Sequence, residues 1–193
     1  MAKNNDLPIM AFSGQQDFEA WLAQNHDTSA GIMLKIAKKN STISTVSYSE
    51  ALDCALCYGW IDSRKEKADE ETWLQRFTPR KASSIWSQVN KERTEALIAS
   101  GRMKPSGYQA IEAAKQNGRW DNAYESQSKS TLPEDFVNEL NKNHQAKQFY
   151  DGLDSRNKFA IVFRINNAKK QETRQKRIDQ FILMLERQEK IYP

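Results

Sequence analysis

Trp60-Ile-Asp-Ser-Arg-Lys-Glu-Lys67 and Thr72-Trp-Leu-Gln-Arg-Phe-Thr78 are two segments of strand length, separated by the polar stretch Ala68-Asp-Glu-Glu71. Two short runs with aromatic and β-branched residues, joined by a few polar residues, are typical of an antiparallel hairpin. Pro79 follows the second run and ends it, because proline cannot donate to a strand ladder. This predicted pair of strands decides the fold.

A third strand precedes the hairpin in the chain. In Gly31-Ile-Met-Leu-Lys-Ile-Ala-Lys38, residues Ile32, Leu34 and Ile36 recur at period two and therefore share one face. A sheet with one apolar face needs helices packed on that face to bury it. We predict an α+β fold that is predominantly helical, with a small three-stranded antiparallel sheet in the N-terminal part and a C-terminal helical module.

Helix signals cover most of the remaining chain. Capping-box patterns begin at Ser13, Ser47 and Thr131, each with Glu or Gln three residues later. Glycines follow several apolar runs at the point where a helix would end. The predicted helices run from about 14 to 25, from Ser47 to near Gly59, from Ile85 to Ser100, from Pro105 to Asn117, from Thr131 onward, from about 145 to 152, from Ser155 to Asn167 and from Lys170 to Glu189.

Length and composition bound the organisation of the protein. Its 193 residues and 22.3 kDa suit one substantial domain, or a domain with a small appendage. The 38% of hydrophobic and 28% of charged residues exclude a disordered chain and a collagen-like repeat. The polar segment from Asp121 to Ser130 is the best linker candidate. We expect an N-terminal α+β domain over residues 1–130 and a C-terminal helical module over residues 131–193.

Charge and hydropathy narrow the partners and the location. A total of 29 basic against 25 acidic residues leaves a net charge of +4, a mild excess that favours anionic partners. The longest apolar stretch, residues 51–61, is interrupted by Asp53 and is too short to span a membrane. The N-terminus carries no secretory signal, so we expect a cytoplasmic protein without a membrane span.

The residue types that usually bind metals do not form a recognisable site. Cys54 and Cys57 form one C-x-x-C pair late in a predicted helix, and His26 and His144 lie in unrelated segments. We interpret the cysteines as core residues, with a redox role as the less favoured alternative. His26 suits the C-terminal end of the first helix, His144 is expected in a loop, and no metal or other cofactor is expected.

The candidate binding site surrounds the hairpin. Alternation interleaves aromatic and charged side chains on one face of each strand: Trp60, Asp62 and Arg64 on the first, Trp73, Gln75 and Phe77 on the second. Arg76, Arg80 and Lys81 add positive charge toward the end of the hairpin. They precede Ser83 and Ser84, either of which could cap the next helix. Guanidinium groups beside a helix N-terminus suit a phosphate or a carboxylate. The predicted anion-binding residues are Trp60, Asp62, Arg64, Trp73, Arg76, Arg80, Lys81 and Trp86.

Two other interpretations of this cluster stay open. Aromatic residues on a sheet usually pack under helices, and an arginine at its edge usually pairs with a nearby acid such as Asp62 or Asp69. An enzyme acting on a small anionic substrate would instead use Asp62 as a base, in a ligand-sized pocket with a second titratable group. The sequence has no nucleophile elbow, P-loop or dinucleotide-binding glycine motif, so the catalytic residues of such an enzyme are unknown.

A second basic face is predicted near the C-terminus, where ten basic and four acidic residues lie between Arg156 and Lys190. Basic charge at a helix start opposes the helix dipole, so either Glu172 and Asp179 relieve it or an external anion does. A solvated helix face is the simpler interpretation. The residues of this face are Lys169, Lys170, Arg174 and Arg177.

These motifs resemble the YdeI/OmpD-associated family, also called bacteriocin-protection proteins. The resemblance spans nearly the whole chain, and the last 60 or so residues resemble the family's C-terminal helical module. The matching pieces are Trp21-Leu with Asn25-His26, Ser47-Tyr-Ser-Glu-Ala51, Ala55-Leu-Cys-Tyr-Gly-Trp-Ile-Asp-Ser63, Arg76-Phe-Thr-Pro-Arg80, Ser84-Ile-Trp-Ser87 with Asn90, Gly101-Arg-Met103, Gly118-Arg-Trp120, Ala168-Lys169, Glu172-Thr-Arg174 and Arg177-Ile178.

The resemblance implies a role in bacterial stress resistance, including tolerance of bacteriocins and cationic antimicrobial peptides, and it brings no catalytic residues. It also suggests a periplasmic location, from which this N-terminus departs. We therefore predict a binding or regulatory protein whose basic and aromatic surface holds an anionic small molecule or an acidic protein partner. The alternatives are an enzyme acting on a small anionic substrate and a weak nucleic-acid binder.

Overall fold

The computed structural model of the chain describes residues 7–126 and 131–193, and the chain divides into two compact units, Met1–Ala123 and Tyr124–Pro193. Each unit has its own buried apolar core. The N-terminal unit combines helices with a sheet, and the C-terminal unit is helical, so the predicted α+β class is confirmed. The boundary expected near residue 130 lies outside the described residues.

The sheet has four strands among the described residues, β1 (Ile9–Met10), β2 (Ile32–Ala37), β3 (Trp60–Lys67) and β4 (Thr72–Pro79), in the order β1-β2-β4-β3. The predicted hairpin of β3 and β4 is confirmed, and β2 pairs antiparallel with β4. The prediction of three antiparallel strands was wrong in one respect, because β1 adds a fourth strand parallel to β2. Two residues are too few to show a period in the sequence.

A β-bulge changes which side chains of β3 share a face. Asp62 pairs with Phe77 and Lys65 pairs with Gln75, so two residues of β3 oppose Arg76 alone. A bulge of this kind interrupts the alternation of side chains along the strand. Lys65, rather than Arg64, therefore lies on the same face of the sheet as Asp62.

Four helices complete the N-terminal unit: α1 (Gln15–Asn25), α2 (Tyr48–Cys57), α3 (Gln88–Ala99) and α4 (Pro105–Gln116). The predicted apolar face of β2 is buried, and the α1 residue Phe18 lies 5.9 Å from Phe77 of β4 between ring centroids. Removing a large apolar side chain such as Phe18 from water stabilises a fold by about 1.5–3 kcal/mol. The helices thus bury the sheet face that carries Phe77.

In the N-terminal unit, the predicted N-cap of α2 is confirmed, and the predicted N-caps of α1 and α3 were wrong. Ser47 and Glu50 form the predicted capping box of α2. The N-cap of α1 is Gly14, while Ser13 donates to the carboxylate of Asp17. The N-cap of α3 is Ser87, whose hydroxyl accepts from the backbone of Asn90 at 3.1 Å.

Neither Ser83 nor Ser84 caps α3, because the residues before it form a turn instead. The hydroxyl of Ser84 accepts from the backbone N–H of Lys81 at 3.0 Å, and Ser84 donates its own N–H to the carbonyl of Lys81 at 2.8 Å. The helix predicted from Ile85 therefore begins three residues later. Ile85 and Val89 are 39% and 50% exposed rather than part of the core.

The C-terminal unit contains four helices in its described residues: α5 (Glu134–Lys142), α6 (His144–Asp151), α7 (Ser155–Asn166) and α8 (Gln171–Glu186). They enclose one apolar core. Its buried residues are Phe136, Leu140, Ala146, Tyr150, Leu153, Ile161, Ile165, Ile178, Phe181 and Leu185.

Two predictions about this unit need correction. Thr131 does not cap α5, whose N-cap is Pro133. If Thr131 were the N-cap, Leu132 would have to be helical, and the residue before a proline is disfavoured in that conformation. His144 is not in a loop but begins α6, where the Asn143 side chain caps the helix through the N–H of Ala146 at 3.0 Å.

Candidate anion-binding site

The structure places Trp60 inside the N-terminal core. Its side chain is fully buried, its indole N–H donates to the carbonyl of His26 at 3.0 Å, and its ring meets Trp21 edge to face at 5.8 Å. The ring of His26 also contacts the Leu22 carbonyl at 3.0 Å, so its predicted position at the end of α1 is confirmed. Trp60 therefore holds the fold together and offers no surface to a ligand.

Asp62 and Trp73 lie in a small polar and aromatic cluster with Tyr48 and Lys65. The phenol of Tyr48 donates to Asp62 at 2.8 Å, and the Tyr48 ring lies 5.9 Å from the ring of Trp73. The Lys65 ammonium sits 4.1 Å from the Trp73 ring centroid, a cation–π distance. The charge beside Trp73 thus comes from Lys65, which the bulge brings to this face.

Arg64 and Arg76 leave this cluster. Arg64 is exposed and forms an ion pair with Glu66. Arg76 pairs with Met33 in the sheet register and therefore lies on the face opposite to Phe77. Its Nε atom is buried and has no hydrogen-bond partner among the residues that the structure describes. The hairpin consequently divides the predicted site between two sides of the sheet.

Two cations and two tryptophan rings lie in a row that we call the ring array, made of Arg80, Trp86, Trp120 and Lys91. The Arg80 guanidinium lies 3.6 Å from the Trp86 ring centroid, and Trp86 meets Trp120 nearly edge to face at 4.8 Å. The Lys91 ammonium lies 5.4 Å from the Trp120 ring. Both tryptophans are more than 90% buried, so the two cations lie over the edge of the core.

The predicted residues Arg80, Lys81 and Trp86 are brought together here. Arg80 also donates to the carbonyl of Ile85 at 3.2 Å, which fixes its guanidinium beside the start of α3. Lys81 is exposed on the adjoining turn. A cleft of about 40 Å³ lies against these residues and against α4. It has room for water but not for a substrate, because ligand pockets commonly measure about 300–1,000 Å³.

Trp120 and Lys91 were not among the residues predicted for the site. Trp120 follows the C-terminal end of α4, where Gly118 has a φ of +71° that turns the chain. Lys91 lies in the first turn of α3 and is followed by Glu92 and Arg93, a mixture of charges that is ordinary on a helix surface. Only the packing of α3 against the segment after α4 brings these residues to Trp86, and no local period in the sequence encodes that contact.

An enzyme centred on Asp62 would need a second titratable group and a ligand-sized pocket beside that carboxylate. Tyr48 supplies a second titratable group at hydrogen-bond distance. Neither the small cleft at Trp86 nor a larger one in the C-terminal unit is lined by Asp62. The alternative of an enzyme centred on Asp62 therefore gains no support from these two clefts.

The basic residues of α8 have partners within the C-terminal unit. The Arg174 guanidinium holds Asp135 through Nε at 2.5 Å and a terminal nitrogen at 2.9 Å, and it donates to the Ile165 carbonyl at 3.2 Å. Arg177 donates to the Arg164 carbonyl. The counter-charge thus comes from Asp135 of α5, rather than from Glu172 or Asp179 as expected.

Lys169 and Lys170 are both exposed, and Lys170 is the N-cap residue of α8. Arg174 and Arg177 act on the carbonyls at the C-terminal end of α7, where positive charge is favourable. The four predicted residues of the second basic face therefore divide into two exposed lysines and two arginines that join α8 to α7.

Both cysteines are buried core residues, as predicted. Burial raises the pKa of Cys54 to about 12 and the pKa of Cys57 to about 11. No group of three or more metal-ligating side chains occurs within residues 7–126 and 131–193. In the same part of the chain, no helix is both long and apolar enough to cross a bilayer.

The fold defines the class of protein as an α+β domain followed by a helical module. A family model described as "Domain of unknown function (DUF8412)" matches residues 10–110, more than half of the chain, and the chain belongs to that family. The model described as "Bacteriocin-protection, YdeI or OmpD-Associated" matches residues 129–188, which confirms the suspected family over that C-terminal part of the chain. Neither the curated proteins nor the solved structures yielded a match.

Proposed function

We propose that the protein binds an acidic protein partner through the surface of the ring array, and that this binding serves bacterial stress or antimicrobial tolerance. The observation that carries the proposal is the placement of two cations, Arg80 and Lys91, over one pair of tryptophan rings. Lys81 adds a third positive charge on the turn before α3.

The rings order the cations before a partner arrives. A long basic side chain normally loses rotamer freedom when it binds, at a cost of about 0.5–1.5 kcal/mol for each side chain. Arg80 is already fixed by its stacking on Trp86 and by its hydrogen bond to Ile85. A carboxylate that approaches this surface would therefore meet pre-positioned positive charge, which favours fast and selective association.

The shape of the surface favours a protein partner over a small molecule. The cleft beside Trp86 measures about 40 Å³, far below the volume of a ligand pocket. Ile85 and Val89, which are large exposed apolar residues, flank the start of α3. Carboxylates on a partner would pair with the cations of the ring array, and apolar side chains between them would pack on Ile85 and Val89. The link to tolerance rests on the bacteriocin-protection family, whose model matches residues 129–188.

The test is a fluorescence anisotropy titration with a labelled hexaglutamate peptide at low salt. Lys81→Ala with Lys91→Ala should weaken binding about tenfold, since each ion pair lost at an exposed site is worth roughly 0.7 kcal/mol. The matched control is Lys142→Ala with Lys147→Ala, which removes two lysines of the C-terminal unit that pair with Glu139 and Asp151. We expect the control to bind as the parent protein does.

Three results would contradict this proposal. The peptide fails to bind the parent protein, or both double variants lose affinity equally, which would indicate an effect of net charge alone. A labelled oligothymidine that binds more tightly than hexaglutamate, through the same lysines, would favour the nucleic-acid alternative.

A further inference from the structure

The C-terminal unit contains a second cleft, of about 330 Å³, between one face of α6 and the chain that follows α8. This volume lies within the range of small-molecule sites. It was not predicted from the sequence, and it is independent of the ring array. Its lining residues are Gln145, Gln148, Phe149, Gly152, Leu153, Gln188 and Lys190.

One wall of the cleft is a helix face. Gln145, Gln148, Phe149 and Gly152 have the spacing of residues on one side of a helix. Phe149 is half-buried and packs against the core of the unit, so part of its ring faces the cleft. The wall thus combines a fixed aromatic surface with amide side chains.

The other wall is held in place by hydrogen bonds. Gln188 has a φ of +58° and donates its N–H to the Leu185 carbonyl at 3.0 Å, which ends α8 and turns the chain. The Gln145 side chain donates to the Glu186 carbonyl at 2.9 Å and ties the two walls together.

Asn157 fixes the same segment from the other side. Its side-chain oxygen accepts from the N–H groups of Ile191 and Tyr192 at 3.1 and 3.0 Å, and Asn157 is 1% exposed. Because both ends of the wall are fixed, the cleft is preformed in the free protein.

Gly152 keeps this cleft open. Its φ of −82° and ψ of −7° are ordinary for any residue. A Cβ atom built on it would meet only the carbonyl oxygens of Phe149 and Gln148, at 3.6 and 3.9 Å. Neither the backbone conformation nor the packing requires glycine at position 152. A larger side chain there would occupy part of the cleft, so the glycine leaves that space open.

The chemistry of the lining favours an uncharged ligand. Three glutamine amides each donate and accept hydrogen bonds, and hydroxyl groups do the same. Lys190 is the one cation of the lining. Hydrogen bonds from Asn157 lower the pKa of the Asp154 carboxyl, and the positive charge of Lys190 lowers it further. Apart from Lys190, the lining residues are uncharged, so the glutamine amides and the Phe149 ring make up most of the surface that a ligand would meet.

We propose that this cleft binds an uncharged polyhydroxylated ligand of the saccharide class, with the C–H face of a sugar ring on Phe149 and its hydroxyls on the glutamine amides. The test uses glucose, N-acetylglucosamine and maltose as probes, each added to the full chain and followed by saturation-transfer NMR and by backbone amide shifts. Glucose 6-phosphate and glucuronate are the charged counterparts.

The expected result is that at least one uncharged sugar binds and shifts the amides of Phe149 and Gly152. Gly152→Trp, which fills the cleft, should weaken binding at least about tenfold, equivalent to 1.4 kcal/mol. Gly14→Trp is the matched control, because Gly14 also has open space around its Cβ position but lies in the N-terminal unit. Gln148→Leu, at an exposed position, should weaken binding without filling the cleft.

The proposal is overturned if none of the three sugars binds, or if Gly152→Trp folds and binds as the parent protein does. It is also overturned if glucose 6-phosphate or glucuronate binds more tightly than glucose, since the cleft would then be an anion site. None of these results bears on the ring array, whose test uses a different probe and different lysines.

Discussion

The guanidinium of Arg80 lies 3.6 Å from the centre of the Trp86 ring and donates a hydrogen bond to the carbonyl of Ile85, the residue that precedes Trp86. One side chain therefore closes the end of β4 against the start of α3 and covers a buried tryptophan. The binding surface and the packing of the N-terminal unit share this residue, which decides how its variants should behave.

Arg80→Ala is expected to destabilise the N-terminal unit by about 1–2 kcal/mol, because it removes a cation–π contact and a hydrogen bond. A variant at Arg80 therefore changes the packing of the unit as well as its surface charge. Urea denaturation followed by tryptophan fluorescence measures the change. Arg64→Ala, at an exposed ion pair, is the control and should change stability by less than about 0.5 kcal/mol. Equal stability of Arg80→Ala and the parent protein would show that the stacking is not structural.

The pair of Asp135 and Arg174 makes the C-terminal unit sensitive to acid. The hydrogen bond from Arg174 lowers the pKa of Asp135 below its ordinary value near 4. Because the folded pKa is the lower one, the pair stabilises the unit above about pH 4, and this stability is lost as the pH falls through the folded pKa. The protection factors of the α5 and α8 amides, taken relative to the intrinsic exchange rate at each pH, should fall in that range.

Asp135→Asn should remove this part of the acid sensitivity and cost about 1–2 kcal/mol at neutral pH, since both partners are partly exposed. Glu139→Gln, which breaks the exposed pair with Lys142 on the same helix, is the control and should change little. An unchanged acid response in Asp135→Asn would place the sensitivity elsewhere in the unit.

Asn157→Ala should loosen the segment after α8. The variant removes the acceptor for the N–H groups of Ile191 and Tyr192 and a buried bond to Asp154, with an expected cost of about 2–3 kcal/mol. Amide exchange at Ile191 and Tyr192 is the direct measurement, and it should rise more than exchange in the centre of α7. Unchanged protection at these two amides would mean that other contacts hold the segment.

Cys54 and Cys57 should not react with a thiol reagent such as dithionitrobenzoate in the folded protein at pH 8. Burial keeps the pKa of both thiols near 11 to 12, so almost no thiolate forms, and the sulfur atoms are shielded. Two equivalents should react after unfolding in guanidinium chloride. Rapid reaction of the native protein would revive the redox interpretation of the C-x-x-C pair.

The sequence predicted the helices and strands that depend on residues close together in the chain. The alternation of Ile32, Leu34 and Ile36, the capping box of Ser47 and the hairpin of β3 and β4 each depend on near neighbours in the chain. Gly59, with a φ of +73°, ends the segment of α2 as expected for a residue just past a helix. The two-residue strand β1 escaped notice because it is defined by its partner β2 and not by any period of its own.

The candidate site was predicted only in part, for the same physical reason. Arg80, Lys81 and Trp86 lie close in the sequence and also in the structure. Trp60 was expected on a surface, but helices cover that face of the sheet, and the bulge exchanged Arg64 for Lys65 beside Trp73. Contacts between distant segments, such as Lys91 with Trp120, have no signal in a single sequence.

The most direct test of the ring array as a binding surface is an NMR titration of the five tryptophan indole N–H groups with the hexaglutamate peptide. The indole signals of Trp86 and Trp120 should shift together and saturate, while those of Trp21 and Trp60 in the core stay in place. Saturable shifts confined to Trp73, or no shift at any indole, would contradict the proposal that the ring array receives the acidic partner.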